Sequence, residues 1–563
     1  MTLGLASLAG CGGKNISTEP ARYSSHSDVS KEQLGIRESA PASKSEGLTS
    51  PSVNWSTEAE TDAAAIGGSY YNYDYDYYEE PFTGETYDLI NESGFLSVAR
   101  SPLSTFAADV DTASYSNMRR FVNSGYGLYD FESVGIRTEE LINYFNYNYK
   151  APQAGARFNV DTTVSDCPWN RQHKLMILGI NTKTLNEGKR PDSNIVFLVD
   201  VSGSMNSPDK LPLLKDSMKL LVENLTANDR VSIVTYASGT GVVLDSVPGN
   251  KSKKINKAFD DLKAGGSTNG EGGIELAYKI AEKNFIEGGN NRIILATDGD
   301  FNVGKHRGDE LKDLISEKKE SGVFLSILGF GTGNYNDVTG ETLADSGNGN
   351  YSYIDCLTEA KKVLVDEMSS TLYTVAKDTK FQVEFNPAMV SSYRLIGYEN
   401  RALEDRDFTD DTKDGGELGA GHQVTVIYEI ELAEDTPEVA QPLKYQPVKS
   451  NAIEVKTSDE WCTLSIAYKD PDKNESEYLS FPVGLLNYTT APSDNFILAT
   501  SVAEYAMAIT GSEVLVDMTR EDALGQAIKN VEKLNSDDEL VLEFLSLMEK
   551  VAKNERPTSY WYE

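Results

Sequence analysis

Apolar side chains between residues 194 and 376 follow two alternating patterns. Short runs that are apolar at nearly every position are typical of strands buried on both faces of a sheet. Longer runs with regularly spaced apolar side chains predict amphipathic helices. Strands that alternate with helices predict an α/β fold with a mostly parallel, doubly wound sheet. The predicted strands are residues 195–199, 231–236, 242–247, 292–297 and 324–330, and the predicted helices are residues 211–225, 274–285, 310–319 and a closing helix at 358–375.

The segments on either side of this region have strand-like patterns. Because the two ends of a domain usually lie close together, one domain can be inserted into another without disturbing it. We therefore expect one β-sandwich formed by both flanks, with the α/β region inserted into it and helices after it. The predicted flanking strands are residues 157–165 and 174–182 before the α/β region, and residues 380–385, 424–431, 452–456 and 462–468 after it.

The first 91 residues contain few aliphatic side chains. Residues 12–91 are rich in Ser, Thr, Glu, Ala, Gly and Tyr, and such a segment buries too little apolar surface to order itself, so we expect a disordered tether. The preceding Leu-Ala-Gly-Cys sequence resembles a bacterial lipobox. That resemblance implies a lipidated Cys11 and an extracytoplasmic protein that is lipid-anchored to the bacterial cell membrane.

Charge restricts the possible partners. With 52 Lys and Arg against 87 Asp and Glu the net charge is −35, which argues against nucleic acid and against direct adsorption to anionic lipid. An acidic surface favours divalent cations. The four cysteines are too few and too scattered for a disulfide scaffold.

Candidate chemistry lies where two predicted strands end. The run 195–199 leads into Asp200, Ser202 and Ser204, and the run 292–297 leads into Asp298. A glycine-rich loop between them, G-G-S-T-N-G, presents Thr268. In a doubly wound sheet, ligands bind outside the carboxyl ends of the strands, where the strand order reverses. A set of hydroxyl and carboxylate oxygens suits Mg²⁺ and leaves room for water and one outside ligand.

These motifs resemble the metal-ion-dependent adhesion site of von Willebrand factor A domains, which have a Rossmann-like fold. The resemblance rests on D-V-S-G-S, on the threonine of G-S-T-N-G and on the first aspartate of A-T-D-G-D. It implies that Ser202 and Ser204 bind the metal directly and Thr268 directly or through water. Asp200 and Asp298 would act largely through water. Mg²⁺ is the expected metal, with Mn²⁺ or Ca²⁺ as alternatives, and an Asp or Glu of a protein partner would complete the coordination.

The flanks extend the resemblance from residue 95 to roughly the end of the chain. Motifs such as E-E-L-I-N-Y-F, C-P-W-N, Y-R-L-I-G-Y-E-N-R and G-A-G-H-Q-V-T-V-I-Y-E-I resemble those of a bacterial family of surface-anchored A-domain lipoproteins. The expected domains are a lipoprotein-type signal (1–11), the tether (12–91), an N-terminal flanking region (92–190), the A domain (191–376), a β-rich region (377–490) and a C-terminal helical region (491–563).

We therefore expect a membrane-anchored binding protein that captures a partner's carboxylate through the metal. One alternative is an accessory or assembly factor for a membrane complex or ATPase. A metal-dependent hydrolase is a further alternative, but the sequence places no histidine base near the serines and no second carboxylate near Asp200. An enzyme is accordingly not expected.

Overall fold

The structure, a computed structural model, describes residues 87, 90–108, 111–132, 134–185, 190–267, 270–299, 308–333, 337–413, 415–433, 459–471, 473, 475–515 and 517–554. The expected signal with Cys11, nearly all of the expected tether and the predicted strand 452–456 lie outside these residues. Within the described part of the chain, no helix has both the length and the apolar character needed to cross a membrane.

The segment before the α/β region consists of two short strands, two helices and a long hairpin. The first helix buries Tyr115, Met118 and Phe121, as their helical spacing predicts. The turn of the hairpin is C-P-W-N, in which Cys167 and Trp169 are buried in an apolar core. These elements are β1 (Leu96–Ser97), β2 (Leu103–Ala107), α1 (Ala113–Asn123), α2 (Thr138–Ile142), β3 (Phe158–Asp166) and β4 (Lys174–Thr182).

The α/β region is a six-stranded sheet with helices packed against it, and its strand order is β10-β9-β8-β5-β6-β7. Only the β6–β7 pair is antiparallel, so the predicted mostly parallel, doubly wound sheet is confirmed. The central strand, β5, is buried at every position. The elements are β5 (Ser193–Asp200), α3 (Leu211–Glu223), β6 (Arg230–Tyr236), β7 (Thr240–Pro248), α4 (Ser252–Asp260), α5 (Gly270–Lys283), β8 (Asn290–Thr297), α6 (Gly308–Lys319), β9 (Phe324–Phe330), α7 (Asp337–Ser346) and β10 (Tyr351–Ile354).

The single closing helix predicted at residues 358–375 is wrong. The chain instead forms α8 (Leu357–Lys361), a π-helical turn (Lys362–Asp366) and α9 (Met368–Leu372), and β11 starts at Thr374. At the π-helical turn the buried ammonium of Lys362 lies 4.3 Å from the ring centre of Tyr144 and 2.8 Å from Glu367. At the end of the predicted helix, the pairing of Thr374 with Gly419 gives the backbone a strand partner, which overrides the helical spacing of the apolar side chains.

Strands from both flanks form two facing sheets. One sheet has the order β1-β12-β14-β4-β3, and the other has the order β13-β11-β15-β16 with β2 paired to β11. Their inner faces share one apolar core, which contains side chains from before and after the α/β region. The predicted sandwich built from both flanks is therefore confirmed. The remaining strands are β11 (Thr374–Phe385), β12 (Val390–Leu395), β13 (Gly416–Gly419), β14 (Gln423–Leu432), β15 (Glu460–Lys469) and β16 (Ser476–Gly484).

The chain enters and leaves the α/β region at one turn of the sandwich. The Thr182 amide, at the end of β4, donates to the His422 carbonyl over 3.0 Å. The Ala420 amide of the same turn donates over 2.9 Å to the carbonyl of Tyr373, just ahead of β11. The α/β region is thus an insertion whose two ends meet between β13 and β14.

Three C-terminal helices pack with α1 and α2 over the outer face of the first sandwich sheet, in one large apolar core. The middle of this layer is α10, which is buried along most of its length and carries one buried carboxyl, Glu504. Gln526 Nε2 donates to Glu504 Oε1 over 2.8 Å. The helices are α10 (Asp494–Thr510), α11 (Arg520–Leu534) and α12 (Glu539–Lys553).

A buried arginine ties the inserted region to these helices. Arg119 of α1 lies 2.8 Å from Asp355 and 2.6 Å from Glu359, which lie at the start of α8. The same guanidinium lies 2.9 Å from Glu543 of α12 and donates to the hydroxyl of Tyr144 over 3.1 Å. The inserted region is therefore held by ion pairs away from its chain connections as well as by the connections themselves.

We expect Arg119→Met to lower the free energy of unfolding by about 3–5 kcal/mol, because it leaves the buried carboxylate of Glu359 without its cation. Urea denaturation at neutral pH measures the loss. The control is Lys257→Met, which removes an exposed pair with Asp261 on α4 and should leave the unfolding midpoint unchanged. Equal midpoints for the two variants would contradict a structural role for Arg119.

Glu504 predicts a pH dependence. Burial raises its pKa from 4.5 to about 8, with the Gln526 hydrogen bond acting in the opposite direction. The folded state therefore holds this proton more tightly than the unfolded state, and its contribution to stability is lost as the pH rises from 4.5 to about 8. Relative to the native sequence, Glu504→Gln should gain stability steadily across that window.

The exposed Glu513 supplies the matched control, since Glu513→Gln should show no such trend. Denaturant unfolding of all three proteins at a series of pH values makes the comparison. A constant difference between Glu504→Gln and the native sequence from pH 5 to pH 8 would show that Glu504 is not protonated in the fold.

Candidate metal centre

Asp200 is the last residue of the central strand, and its side chain is fully buried. The backbone amide of Ser202 donates to Asp200 Oδ1 over 2.8 Å. The hydroxyl of Thr297, the last residue of β8, donates to Asp200 Oδ2 over 3.4 Å. The carboxylate is thus fixed from its own turn and from the neighbouring strand.

The two serines lie on the turn that follows. Gly203–Asn206 form a short 3-10 helix, and the fully buried side chain of Met205 anchors it to the core. This turn places Ser202 Oγ 3.0 Å from Ser204 Oγ. Ser202 is buried and Ser204 is exposed, so the pair of hydroxyls leads from the buried carboxylate to the surface.

The glycine-rich loop crosses the serine turn. The Gly203 amide donates to the Gly266 carbonyl over 3.0 Å, and the Gly265 amide donates to the Val201 carbonyl over 2.8 Å. Gly266 has φ +92°, and a Cβ there would lie 2.4 Å from Ser238 Oγ, so the loop requires glycine at this point. Thr268 itself lies outside the described residues.

Asp298 follows β8, which pairs with β5 in the sheet. Its carboxylate is fully buried, and the ammonium of Lys210 lies 2.9 Å from its Oδ2. Burial raises the pKa of Asp200 to about 6, the charge of Asp298 acts in the same direction, and the hydrogen bonds from Ser202 oppose it. Asp200, Ser202, Ser204 and Asp298 are therefore brought together at one edge of the sheet, as their positions after the two strands predict.

The donor set fits a hard divalent cation. Asp200 and Asp298 are both buried, and the ammonium of Lys210 lies against Asp298, so these three described side chains together carry an excess negative charge that a cation would neutralise. The described residues contain no group of three or more His, Cys, Asp and Glu side chains able to hold a metal. The hydroxyls of Ser202 and Ser204 add neutral oxygen donors beside the two carboxylates, as a hard divalent cation prefers.

Sequence reasoning missed three residues of the centre, Lys210, Tyr236 and Thr297. Tyr236 ends β6, pairs with Asp200 in the sheet and is fully buried. Burial raises the pKa of its phenol well above 10, and the charge of Asp200 acts in the same direction. Tyr236 and Thr297 each end a strand that runs parallel to β5, so their positions at the same edge of the sheet could have identified them. No spacing signal identifies Lys210.

The histidines that the structure describes lie in the sandwich. His173 Nδ1 lies 2.6 Å from Glu429 Oε1, and His422 belongs to the turn between β13 and β14. His306, which is nearer in sequence to the centre, lies outside the described residues. The described part of the chain therefore supplies no histidine base beside Ser202 or Ser204.

Comparison with known families agrees with this architecture. The family model described as von Willebrand factor type A domain matches residues 194–364. A model described as von Willebrand factor matches residues 81–177, and a model described as the C-terminal part of uncharacterized protein YfbK matches residues 370–553.

The chain is 43% identical to uncharacterized protein YfbK of Escherichia coli (strain K12) over 436 residues, which make up 76% of this chain and 75% of that protein. A solved von Willebrand factor type A structure from Catenulispora acidiphila covers 70% of this chain and 89% of its own, with 17% identity and a TM-score of 0.38. Proximal thread matrix protein 1 from the mussel byssus, solved with a zinc-occupied MIDAS motif, covers 31% of this chain and 45% of its own, with 23% identity and a TM-score of 0.27. The chain belongs to the YfbK family of proteins that contain a von Willebrand factor type A domain.

Proposed function

We propose that this protein is a non-catalytic binding protein that captures a carboxylate of a protein partner through a divalent metal. Asp200, Ser202, Ser204, Thr268 and Asp298 would hold the metal, with Thr268 contributed by the loop that crosses the serine turn. The observation that carries the proposal is the convergence of two buried carboxylates and two serine hydroxyls at one sheet edge.

Each described residue has a distinct part in the proposed centre. The Ser202 and Ser204 hydroxyls, 3.0 Å apart, can turn their lone pairs toward one common cation. Asp200 is held by the Ser202 amide, so it keeps the serine turn in place while contributing negative charge. When bound, the metal offers a coordination position to an anionic oxygen from outside. Mg²⁺ is favoured over Ca²⁺ because two carboxylates and three hydroxyls are few ligands for the larger ion, and Mn²⁺ is acceptable to the same set.

Binding rather than hydrolysis is supported by what surrounds the serines. Ser202 Oγ lies 3.0 Å from the hydroxyl of Ser204 and also donates to the Asp200 carboxylate, which in this proposal is committed to the metal. The described residues place no histidine beside the serines to act as the base that a serine nucleophile requires. The ammonium of Lys210 donates to Asp298 Oδ2 over 2.9 Å, and an ammonium so paired is a charged donor rather than a base.

An extracytoplasmic, lipid-anchored location is part of the same proposal. It rests on the Leu-Ala-Gly-Cys sequence that ends at Cys11 and on the long, polar segment that follows. In such an arrangement the lipid on Cys11 would supply the only contact with the membrane, since the net charge of −35 on the whole chain opposes its adsorption to anionic lipid.

An accessory or assembly factor for a membrane complex or ATPase is the second candidate. The observation that favours it is the Arg119 ion-pair network, which links the last helices of the A domain to α1 and α12. In that case the captured carboxylate would belong to the membrane complex rather than to an external ligand.

Capture of envelope proteins on the immobilised full chain tests the proposal. We expect bound proteins in Mg²⁺ that EDTA releases, and competition by acetate but not by acetamide, because only acetate offers an anionic oxygen. Ser202→Ala should abolish this metal-dependent fraction because it removes a direct ligand.

The matched control is Ser321→Ala, which alters an exposed hydroxyl after α6 that donates to the Lys318 carbonyl. Its captured fraction should equal that of the native sequence. Capture that persists in EDTA and in Ser202→Ala would overturn the proposal in favour of a scaffold that does not use the metal. The identity of the released proteins separates an external ligand from a membrane complex.

A further inference from the structure

Lys210 places a positive charge inside the candidate metal centre. It precedes α3, and its backbone is fixed on both sides: its amide donates to the Ser207 carbonyl over 3.1 Å, and its carbonyl accepts from the Leu214 amide over 2.8 Å. The side chain is only 7% exposed, and its ammonium lies 2.9 Å from Oδ2 of the fully buried Asp298. The pair therefore lies away from bulk solvent, where charge interactions are strong.

The path of this side chain depends on a glycine. Gly331, just after β9, has φ +77°, and a Cβ there would lie 2.2 Å from Lys210 Cγ and 2.4 Å from its Cε. The stem of Lys210 thus passes directly over the Gly331 backbone on its way to Asp298. The glycine after β9 thus makes room for this lysine.

We propose that Lys210 is a positioning residue of the metal centre and that its charge sets how strongly the centre binds a metal and an anion. By engaging Oδ2 it holds the Asp298 carboxylate in place, and it limits how much of that carboxylate's charge is available to the metal. This inference rests on the proposed function, since it assigns a role within the same centre.

The charge of Lys210 should affect metal binding and anion binding in opposite directions. Asp200, Asp298 and Lys210 sum to one negative charge, so a divalent ion brings these three side chains and the metal together to one positive charge. Without Lys210 the two carboxylates carry two negative charges, which the ion would neutralise. Lys210 therefore weakens the binding of the metal and strengthens the binding of an anion to the loaded centre. A merely structural lysine would affect both in the same direction.

Lys210→Met tests this, because methionine has a stem of similar length without the charge. Mn²⁺ alone is titrated into the full chain and followed by electron paramagnetic resonance. Acetate is then titrated into the Mn²⁺-loaded protein and followed by the relaxation of water protons. At low ionic strength we expect Mn²⁺ to bind about tenfold more tightly to the variant and acetate about tenfold more weakly.

Two further variants keep the result interpretable. Lys210→Gln removes the same charge with a polar side chain and should show the same opposite shifts, even if the methionine variant folds poorly. Lys253→Met removes an equal charge from an exposed position on α4 and should leave both affinities unchanged. Melting curves in Mn²⁺ establish that each protein is folded.

The outcomes separate the two claims. If the native sequence binds no Mn²⁺, or binds Mn²⁺ without responding to acetate, the proposed function fails. If the native sequence does both, but the folded Lys210 variants lose affinity for Mn²⁺ or match Lys253→Met, the role of Lys210 fails while the proposed function stands.

Discussion

The fold depends on the pairing of two strands that are far apart in the chain. β4 precedes the inserted A domain and β14 follows it, and they pair in register from Lys174 with Ile430 to Asn181 with Gln423. This pairing closes one sheet of the sandwich and brings the two ends of the insertion to a single turn. Because loop-closure entropy grows only slowly with length, such an insertion is tolerated once its ends are fixed close together.

That arrangement sets the A domain in a defined relation to the helices. Its entry and exit lie at the turn between β13 and β14. Arg119 and Arg137 also hold it through ion pairs away from that turn. Arg137 lies 2.9 Å from Asp337 and 2.6 Å from Glu341, both on α7. Buried ion pairs of this kind are costly to break and add little when intact, so their main effect is to fix one geometry. The metal centre, at the carboxyl ends of β5 and β8, therefore belongs to a domain with a fixed orientation on the sandwich.

Local sequence patterns predicted those elements whose turn signals and apolar positions agree with the final packing. The predicted strands 324–330 and 174–182 coincide with β9 and β4, because every turn signal and apolar position there agrees with the final packing. β16 was missed because it is an edge strand with several exposed residues and contains Pro482, which local rules count against a strand. The closing helix was predicted to end too late because the sheet partner of Thr374 lies far along the chain.

The candidate centre likewise contains residues that local patterns predict and residues whose role depends on distant contacts. Asp200, Ser202, Ser204 and Asp298 could be predicted because they immediately follow strands that end at one edge of the sheet. Lys210 could not, because its part depends on Gly331 leaving room for its stem, and that contact joins residues more than a hundred positions apart. Arg119 was missed for the same reason, since its carboxylate partners come from α12 and from the segment around the start of α8.

The central claim is that the serine turn and the two aspartates form a centre that accepts a partner's carboxylate through a metal. Anomalous diffraction from crystals of the protein grown with Mn²⁺ and acetate tests it most directly. The account predicts one Mn²⁺ peak within coordination distance of both Ser202 Oγ and Ser204 Oγ, with an acetate oxygen completing the coordination and Lys210 still paired with Asp298. Crystals that show no Mn²⁺ peak at this edge and keep the two serine hydroxyls 3.0 Å apart and bonded to each other would contradict it.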